Sequence, residues 1–410
     1  MGAGDFLVHD VRLFDGDDVA DRTSVLVRDG SIAAVGPDLP AADLSDQQRI
    51  DGSGKTLLPG LIDAHTHPRS PALELAILFG VTTELDMFTD PERIGDQREQ
   101  ARTRDDVADI RSASTGATVL GGHPSMLIGL SFREQFPVVS TAADAADFVE
   151  ARIAEGADFI KLLIDDGTAI GHASPSLTQD MAAAIVDEAH KHALLAVAHA
   201  TSRDGAAQAV AAGVDGLVHM FIDRPADDEI IEQIVQSGVF VVPTLCTMGS
   251  MAGDITGEAV AHDPRTEGLI PADWRNNMCQ CWQFGSPSSL ANASQATGRL
   301  HEAGVRILAG TDAADVGVLG TAHGASLHAE LDLLVAAGLS PVDALRAATS
   351  VPADSFGLTD RGRVRQGLQA DLVLIDGDPT ASITDSLSIA AVWRRGSLLD
   401  RTALAAKVGA

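Results

Sequence analysis

LLPGLIDAHTH, residues 57–67, is an apolar run that stops at two histidines two positions apart. Alternate residues of a strand share a face, so His65 and His67 are expected to point together from one strand end. The following residues fall into apolar strand-like runs separated by Ala-rich helical stretches, the pattern of βα units and a parallel sheet. The strand candidates are LIDAHTH (61–67), VTTELDMF (81–88), ATVLGG (117–122), FIKLLID (159–165), LLAVAHA (194–200), GLVHM (216–220), VFVVPTL (239–245) and RILAGTD (306–312). Eight such units predict an α/β protein whose centre is a (β/α)8 TIM barrel.

Helical periodicity is expected over residues 142–156, 178–192, 205–213, 227–238 and 325–338, each closing on or near a glycine or histidine. The flanks differ. FLVHDVRLF (6–14), SVLVRDG (24–30), SIAAVG (31–36) and KTLLPG (55–60) read as short strands joined by turns, and RVRQGLQADLVLIDG (363–377) and AAVWRRGSLL (390–399) repeat the texture. Residues 1–60 and 362–410 are therefore expected to pair into one small, discontinuous β-sandwich domain, with residues 61–361 as the barrel. The Pro/Gly/Asn-rich stretch of about 247–298 reads as a loop insertion over the barrel mouth.

Composition narrows the function. With 58 acidic against 29 basic residues the formal net charge is -29, which repels phosphate backbones and anionic lipid, so no nucleic-acid or membrane partner is expected. No apolar run is long enough for a membrane span, and MGAGDFLVHD lacks the layout of a signal peptide. Three cysteines, an odd count, fit a reducing compartment, and the expected location is the cytoplasm. The partners expected are a small-molecule substrate and, in a homo-oligomer, further copies of the chain.

Four of the strand candidates end in histidine or aspartate and a fifth carries a lysine. His65, His67, His199, His219 and Asp312 would gather at the end of a barrel where active sites form. Four imidazoles and a carboxylate are costly to bury there unless they coordinate something. Lys161, one of only four lysines, sits in ADFIKLLID among Phe159, Ile160, Leu162 and Leu163. A bland reading pairs it with Asp165 or Asp166. The functional reading is a desolvated neutral amine that reacts with carbon dioxide to give an anionic carbamate.

At these residues the sequence resembles the amidohydrolase superfamily, specifically its imidazolonepropionase-like and metal-dependent prolidase-like members. LLPGLIDAHTH, FIKLL, AVAHA, LVHM, VVPTL and LAGTDA are similar to its strand motifs, and HGASLHAELDLLVAAGLSPVDALRAATSVPADSFGL with GLQADLVLIDGDP to its closing segment. The resemblance implies two divalent metal ions, most often zinc: one held by His65, His67 and Asp312, the other by His199 and His219, with carboxylated Lys161 bridging both. It also implies that a hydroxide shared by the ions hydrolyses a carbon–nitrogen bond in a peptide-like, N-acyl or cyclic amide. Asp312 is the expected general base. His123 in GGHPSM is similar to a relative's histidine that contacts the substrate, and is expected to polarise or orient the carbonyl.

Other readings use the same site. A lactone, ester or organophosphate can be attacked in the same way. A heterocycle deaminase of this kind would place a glutamate three residues after the fifth-strand histidine, where Ser202 stands. A non-catalytic binding protein would be expected to have lost ligands. The sequence also departs from dipeptidase-like relatives: there is no tyrosine, Val218 precedes His219, and LLIDDG follows the lysine, placing Asp165 and Asp166 near the pocket. These departures predict a preference for neutral or amine-bearing substrates packed on Trp274 and Trp282, unless a loop arginine (Arg69, Arg133 or Arg224) reaches the mouth. His172, His323 and His328 carry no assigned role, His172 being the one expected nearest the mouth.

Overall fold

The computed structural model describes residues 4–128, 136–285 and 288–410. Arg133 lies outside them. Strand Leu372–Ile375 runs antiparallel to Thr56–Pro59, with Val373 opposite Leu58. The sheet continues through Ile389–Arg394 and Ser397–Leu398 on one side, and through Phe6–Phe14, Val19–Arg28 and Ser31–Gly36 on the other. Arg49–Asp51 pairs beside Phe6–Phe14, making eight strands. Their hydrogen bonds join them in one sheet. Val8, Val11, Val25, Leu57 and Leu374 fill its apolar face, and Phe6 stacks on Trp393 with centroids 5.0 Å apart.

The middle of the chain is mixed α/β. Leu61–Thr66, Val81–Asp86 and Asp109–Ser112 form a parallel three-stranded sheet; Ile160–Leu163, Ala196–His199, Gly216–Val218 and Phe240–Val242 form a parallel four-stranded one. Two sequence expectations shift here. The third strand lies at Asp109–Ser112, upstream of ATVLGG, where only Ala117 bridges to Leu162. RILAGTD forms no named strand. Instead, Val241 N–H donates to the Arg306 carbonyl, Ala64 N–H to that of Ala309, and His67 N–H to that of Ala313, so residues 306–313 lie between the two sheets.

A buried carboxylate reinforces that junction. Asp63 accepts from the Thr311 hydroxyl at 2.7 Å, from Thr311 N–H at 3.0 Å and from His65 N–H at 3.2 Å. It ties the backbone that presents His65 to the backbone that presents Asp312. Between the strands, Ala64, Leu85, Val197, Val218, Phe240 and Leu308 pack into one buried cluster. Amphipathic helices cover the outside. In Asp228–Ser237 the buried Ile230, Ile231 and Ile234 form one stripe, Asp227 caps the first turn and Gly238, at φ 74°, ends it.

The stretch read as a loop insertion is largely helical, with helices at Leu245–Ala252, Glu258–Ala261 and Ala272–Met278, and a fourth beginning at Leu290. Gly253, Gly257 and Pro271 stand at the ends of these helices, whereas Asn276, Asn277 and Asn292 lie within them. The first follows strand Phe240–Val242 directly, and the fully buried Glu330 accepts from its Leu245 and Cys246 N–H groups at 2.9 and 2.8 Å. Burial pushes the Glu330 carboxyl up to about 7. Among the described residues no helix is long and apolar enough to cross a membrane.

Glu330→Ala should strand both N–H groups in the core and destabilise the protein by roughly 2–5 kcal/mol in urea denaturation, with Glu330→Gln losing less. Equal stability of Glu330→Ala and wild type would show that the carboxylate is not what holds this helix.

Candidate functional site

The site sits where several parallel strands end. His65 Nε2 and His67 Nε2 lie 3.2 Å apart, and both face Asp312 Oδ1, at 3.2 and 3.0 Å. These three atoms are close to the edges of a coordination tetrahedron, about 3.3 Å when each ligand stands 2.0–2.1 Å from a metal. The donor chemistry agrees. Burial and the neighbouring Lys161 hold His65 down at about 3, so its imidazole is neutral. Burial alone would raise Asp312, but His65 and His67 hold it well below the usual carboxylate range. Burial likewise opposes protonation of His67, yet Asp312 beside it raises its pKa.

His219 and His199 flank this trio. The His219 ring centroid is 4.8 Å from that of His65 and 4.4 Å from that of His199. Each of three imidazoles has one nitrogen engaged by the protein: His67 Nδ1 with the Phe88 carbonyl at 3.0 Å, His219 Nδ1 with Thr244 Oγ1 at 2.7 Å, and His199 Nε2 with Asp165 Oδ2 at 2.9 Å. Holding one ring nitrogen fixes the ring plane and leaves the other available as a ligand. The backbone is bent to achieve this. His219 (φ 72°), Thr244 (φ 49°) and Asp312 (φ 59°) all occupy the left-handed region, which is costly for a β-branched residue such as Thr244 and characteristic of constrained sites.

Lys161 is 2% exposed, and its Nζ has no hydrogen-bond partner among the described residues. The salt bridge to Asp165 or Asp166 is not formed: Asp165 bonds His199, and the exposed Asp166 accepts from Thr168. Burial brings the Lys161 amine down to about 7, against the fields of Asp312 and Asp86. Asp86, also buried, is raised to about 7. These histidines and aspartates, beside an amine with no partner among the described residues, form a donor set that could hold metal ions.

A cavity of about 250 Å³ joins these groups to the outside, lined by His65, His67, His123, Lys161, Asp165, His199, His219 and Asp312. His123 stacks on His199 at 4.5 Å, and burial with that neighbour lowers it to about 3, leaving a neutral ring that can donate a hydrogen bond to a substrate. The outer wall is apolar, with Phe88, Met126, Ile170, Met251, Trp282 and Phe284. Trp282 and Phe284 stack in parallel at 5.4 Å. Trp274 does not reach the cavity; it is buried edge-on against His323, which bonds Glu84 at 2.8 Å. His172 is exposed and outside the lining, and His328 is held between Ser386 and the Phe79 carbonyl.

Of the loop arginines, Arg69 lines the cavity and pairs with Asp315 at 2.8 Å, whereas Arg224 lies beside Asp204 and Asp223 away from it. The sequence reading missed Asp165 as a partner of His199. One signal was available: Lys161, Leu163 and Asp165 stand at alternate positions of FIKLLID, Asp165 two residues past the strand Ile160–Leu163, and all three line the cavity. Thr244 and the Phe88 carbonyl, each two residues past another strand, left no such trace.

The amidohydrolase family profile matches residues 56–399. Among curated proteins, ochratoxinase of Aspergillus niger is 27% identical over 261 residues, covering 61% of this chain and 48% of ochratoxinase. A 5-methylthioadenosine/S-adenosylhomocysteine deaminase of Halobacterium salinarum is 26% identical over 388 residues, 92% of this chain and 84% of the deaminase. The chain thus spans less than half of ochratoxinase, and only 13% of the mycobacterial dihydroorotase it also matches. The crystal structure of a Xaa-Pro dipeptidase superposes with TM-score 0.75 at 24% identity, over 97% of this chain and 100% of that one, which establishes a shared fold.

The buried amine makes a stability prediction for the metal-free, uncarboxylated protein. Folding lowers Lys161 from 10.5 to about 7, so between those values the unfolded chain binds a proton that the folded protein releases. The penalty is complete below about pH 7 and fades as the pH rises toward 10.5. Lys161→Met should therefore stabilise chelator-treated protein by about 2–4 kcal/mol in urea below pH 7, with the gain shrinking at higher pH. A destabilised Lys161→Met would mean the amine has a partner that compensates its burial.

Proposed function

The chain belongs to the amidohydrolase family, and we propose that it is a metal-dependent hydrolase of carbon–nitrogen amide bonds in peptide-like, N-acyl or cyclic amides. The proposal includes a (β/α)8 barrel over residues 61–361, with residues 306–313 as its eighth strand, and a flanking β domain from residues 1–60 and 362–410. The observation that carries the function is the meeting of His65, His67 and Asp312 at 3.0–3.2 Å beside an orphaned lysine amine.

His65, His67 and Asp312 would hold one divalent ion and His199 and His219 a second, with carboxylated Lys161 shared between them; zinc suits this imidazole and carboxylate set. Two such ions supply Lewis acidity, polarising a scissile carbonyl and acidifying the attacking water. The rest falls to the protein. Asp312, ionised at neutral pH, accepts the proton of the attacking water and returns it to the leaving nitrogen. His123 donates to the carbonyl oxygen and orients it. The Trp282–Phe284 stack takes an apolar or aromatic substituent at the mouth.

The charge of the lining supports neutral or amine-bearing substrates. Asp165 and Asp312 are ionised, and Arg69, the lining arginine among the described residues, is already paired with Asp315. The deaminase relative gives a second reading, since it matches over 92% of this chain. Against it, Ala200, Thr201 and Ser202 follow His199, so that turn supplies no carboxylic acid to protonate a heterocycle. Lactones, esters and organophosphates remain substrates of the same chemistry and belong in the same assay. The cytoplasm is the compartment proposed for it.

A screen of zinc-loaded protein against N-acyl amino acids, dipeptides, lactams, lactones and aryl esters should find amide hydrolysis, and Asp312→Asn should lower kcat about 100-fold or more while keeping the fold. Near-normal turnover in Asp312→Asn would place the base elsewhere. Free-acid substrates should show lower kcat/KM than their C-terminal amides. The opposite preference would mean that Arg69 exchanges Asp315 for a substrate carboxylate.

A further inference from the structure

Asp165 belongs to none of the motifs that mark the site, yet it is 5% exposed and lines the cavity. Its two oxygens have separate donors. Oδ1 accepts from Gly167 N–H at 2.9 Å, and Oδ2 stands 2.9 Å from His199 Nε2. A carboxylate can only accept, so the hydrogen of the His199 ring must sit on Nε2. The loop that carries the first donor has little freedom. Gly167 has φ 70°, and a Cβ there would lie 1.8 Å from the His172 carbonyl oxygen.

The other side of His199 is packed as well, by the His123 ring at 4.5 Å with only 23° between the planes. The imidazole is thus fixed in plane by a hydrogen bond and in rotation by stacking. With Nε2 occupied, Nδ1 is the nitrogen left for the centre that His219 and Lys161 share. The holders of His67 and His219 are a carbonyl and a hydroxyl; among the described residues the holder of His199 is the charged one. A carboxylate behind a histidine makes its free nitrogen a stronger ligand as well as a better placed one.

We propose that Asp165 is a positioning residue: it locks His199 as the Nε2–H tautomer and turns Nδ1 toward the second metal ion. This rests on the two-ion reading above. It predicts that Asp165 stays out of direct coordination, although Asp165, His123 and His199 offer ligand atoms within 4.8 Å of one another and could hold an ion among themselves.

The test separates the two possibilities and does not depend on turnover. Long-range proton–nitrogen NMR spectra of ¹⁵N-histidine-labelled protein, assigned with a His199→Gln sample, should show His199 as the Nε2–H tautomer in metal-free wild type. Zinc addition should move the Nδ1 resonance and leave Nε2 protonated. In Asp165→Ala the tautomer preference should be lost, and retention of the second ion in equilibrium dialysis should weaken about 10–100-fold. Asp165→Asn, which keeps an acceptor oxygen and the shape of the side chain, should fall between the two and guards against a misfolded alanine variant.

An Nδ1–H tautomer in wild type, zinc coordinated through Nε2, or unchanged second-ion affinity in Asp165→Ala would each overturn the proposal. If wild type binds a single ion, the two-ion reading fails on its own account. The tautomer in the metal-free protein then still decides whether Asp165 fixes His199.

Discussion

An amine 2% exposed and without a hydrogen-bond partner among the described residues is the constraint around which this site is arranged. Burying a lysine nitrogen in that state costs several kcal/mol. The carboxylates of Asp312 and Asp86 act on it through space, yet neither is placed as its ion-pair partner; Asp312 is engaged by two imidazoles and Asp86 by Ser112. A site evolved for stability would have filled the lysine position with a methionine or leucine. Retaining the amine makes sense when its chemistry is used, and a carbamate shared by two cations is the use the neighbouring donors suit.

The polar groups were legible in the sequence for the same reason that they are costly. A histidine or aspartate ending an apolar run stands out, and period-two alternation places His65 with His67 on one face. Strand boundaries were less legible. ATVLGG is the more apolar candidate, but DIRS, with alternating burial, is the segment that pairs with Val81–Asp86. Its Asp109 pairs with Arg361, far along the chain, so the compensation that permits a charge there is invisible locally. Helices Glu258–Ala261 and Ala272–Met278 were hidden by their shortness, since a turn or two of helix has little periodicity to read.

The supporting contacts were the least legible. Thr244 is two residues past the strand it follows, with a left-handed backbone no propensity scale assigns to threonine, and its hydroxyl meets His219 from a neighbouring strand. Asp63 has the same character, joining the first strand to Thr311 across 248 residues of sequence. Both depend on register between strands. Sequence patterns within one strand say which face a residue is on and nothing about which residue stands beside it. Asp165 is the intermediate case, because it continues the alternation of Lys161 and Leu163 just past their strand, but its partner lies on another segment.

Net charge and local charge work at different ranges in choosing the substrate. A surface of -29 discourages anions at a distance, but at physiological ionic strength that field is largely screened beyond about 8 Å, so it governs approach more than selection. Inside the cavity the balance is set by a few groups. Two divalent ions would offset the charges of Asp312, Asp165 and a lysine carbamate, leaving a polar end suited to a carbonyl and its developing negative charge. Elsewhere in the lining, Trp282 stacked on Phe284, with Met126, Met251 and Ile170, offers apolar surface. Arg69 stands in the lining, and its guanidinium is closed by Asp315. A substrate carboxylate would have to displace that aspartate and leave it desolvated, whereas a neutral aryl or alkyl group is received without breaking an ion pair. The selectivity proposed for the protein therefore follows from one ion pair at the mouth more than from its overall acidity.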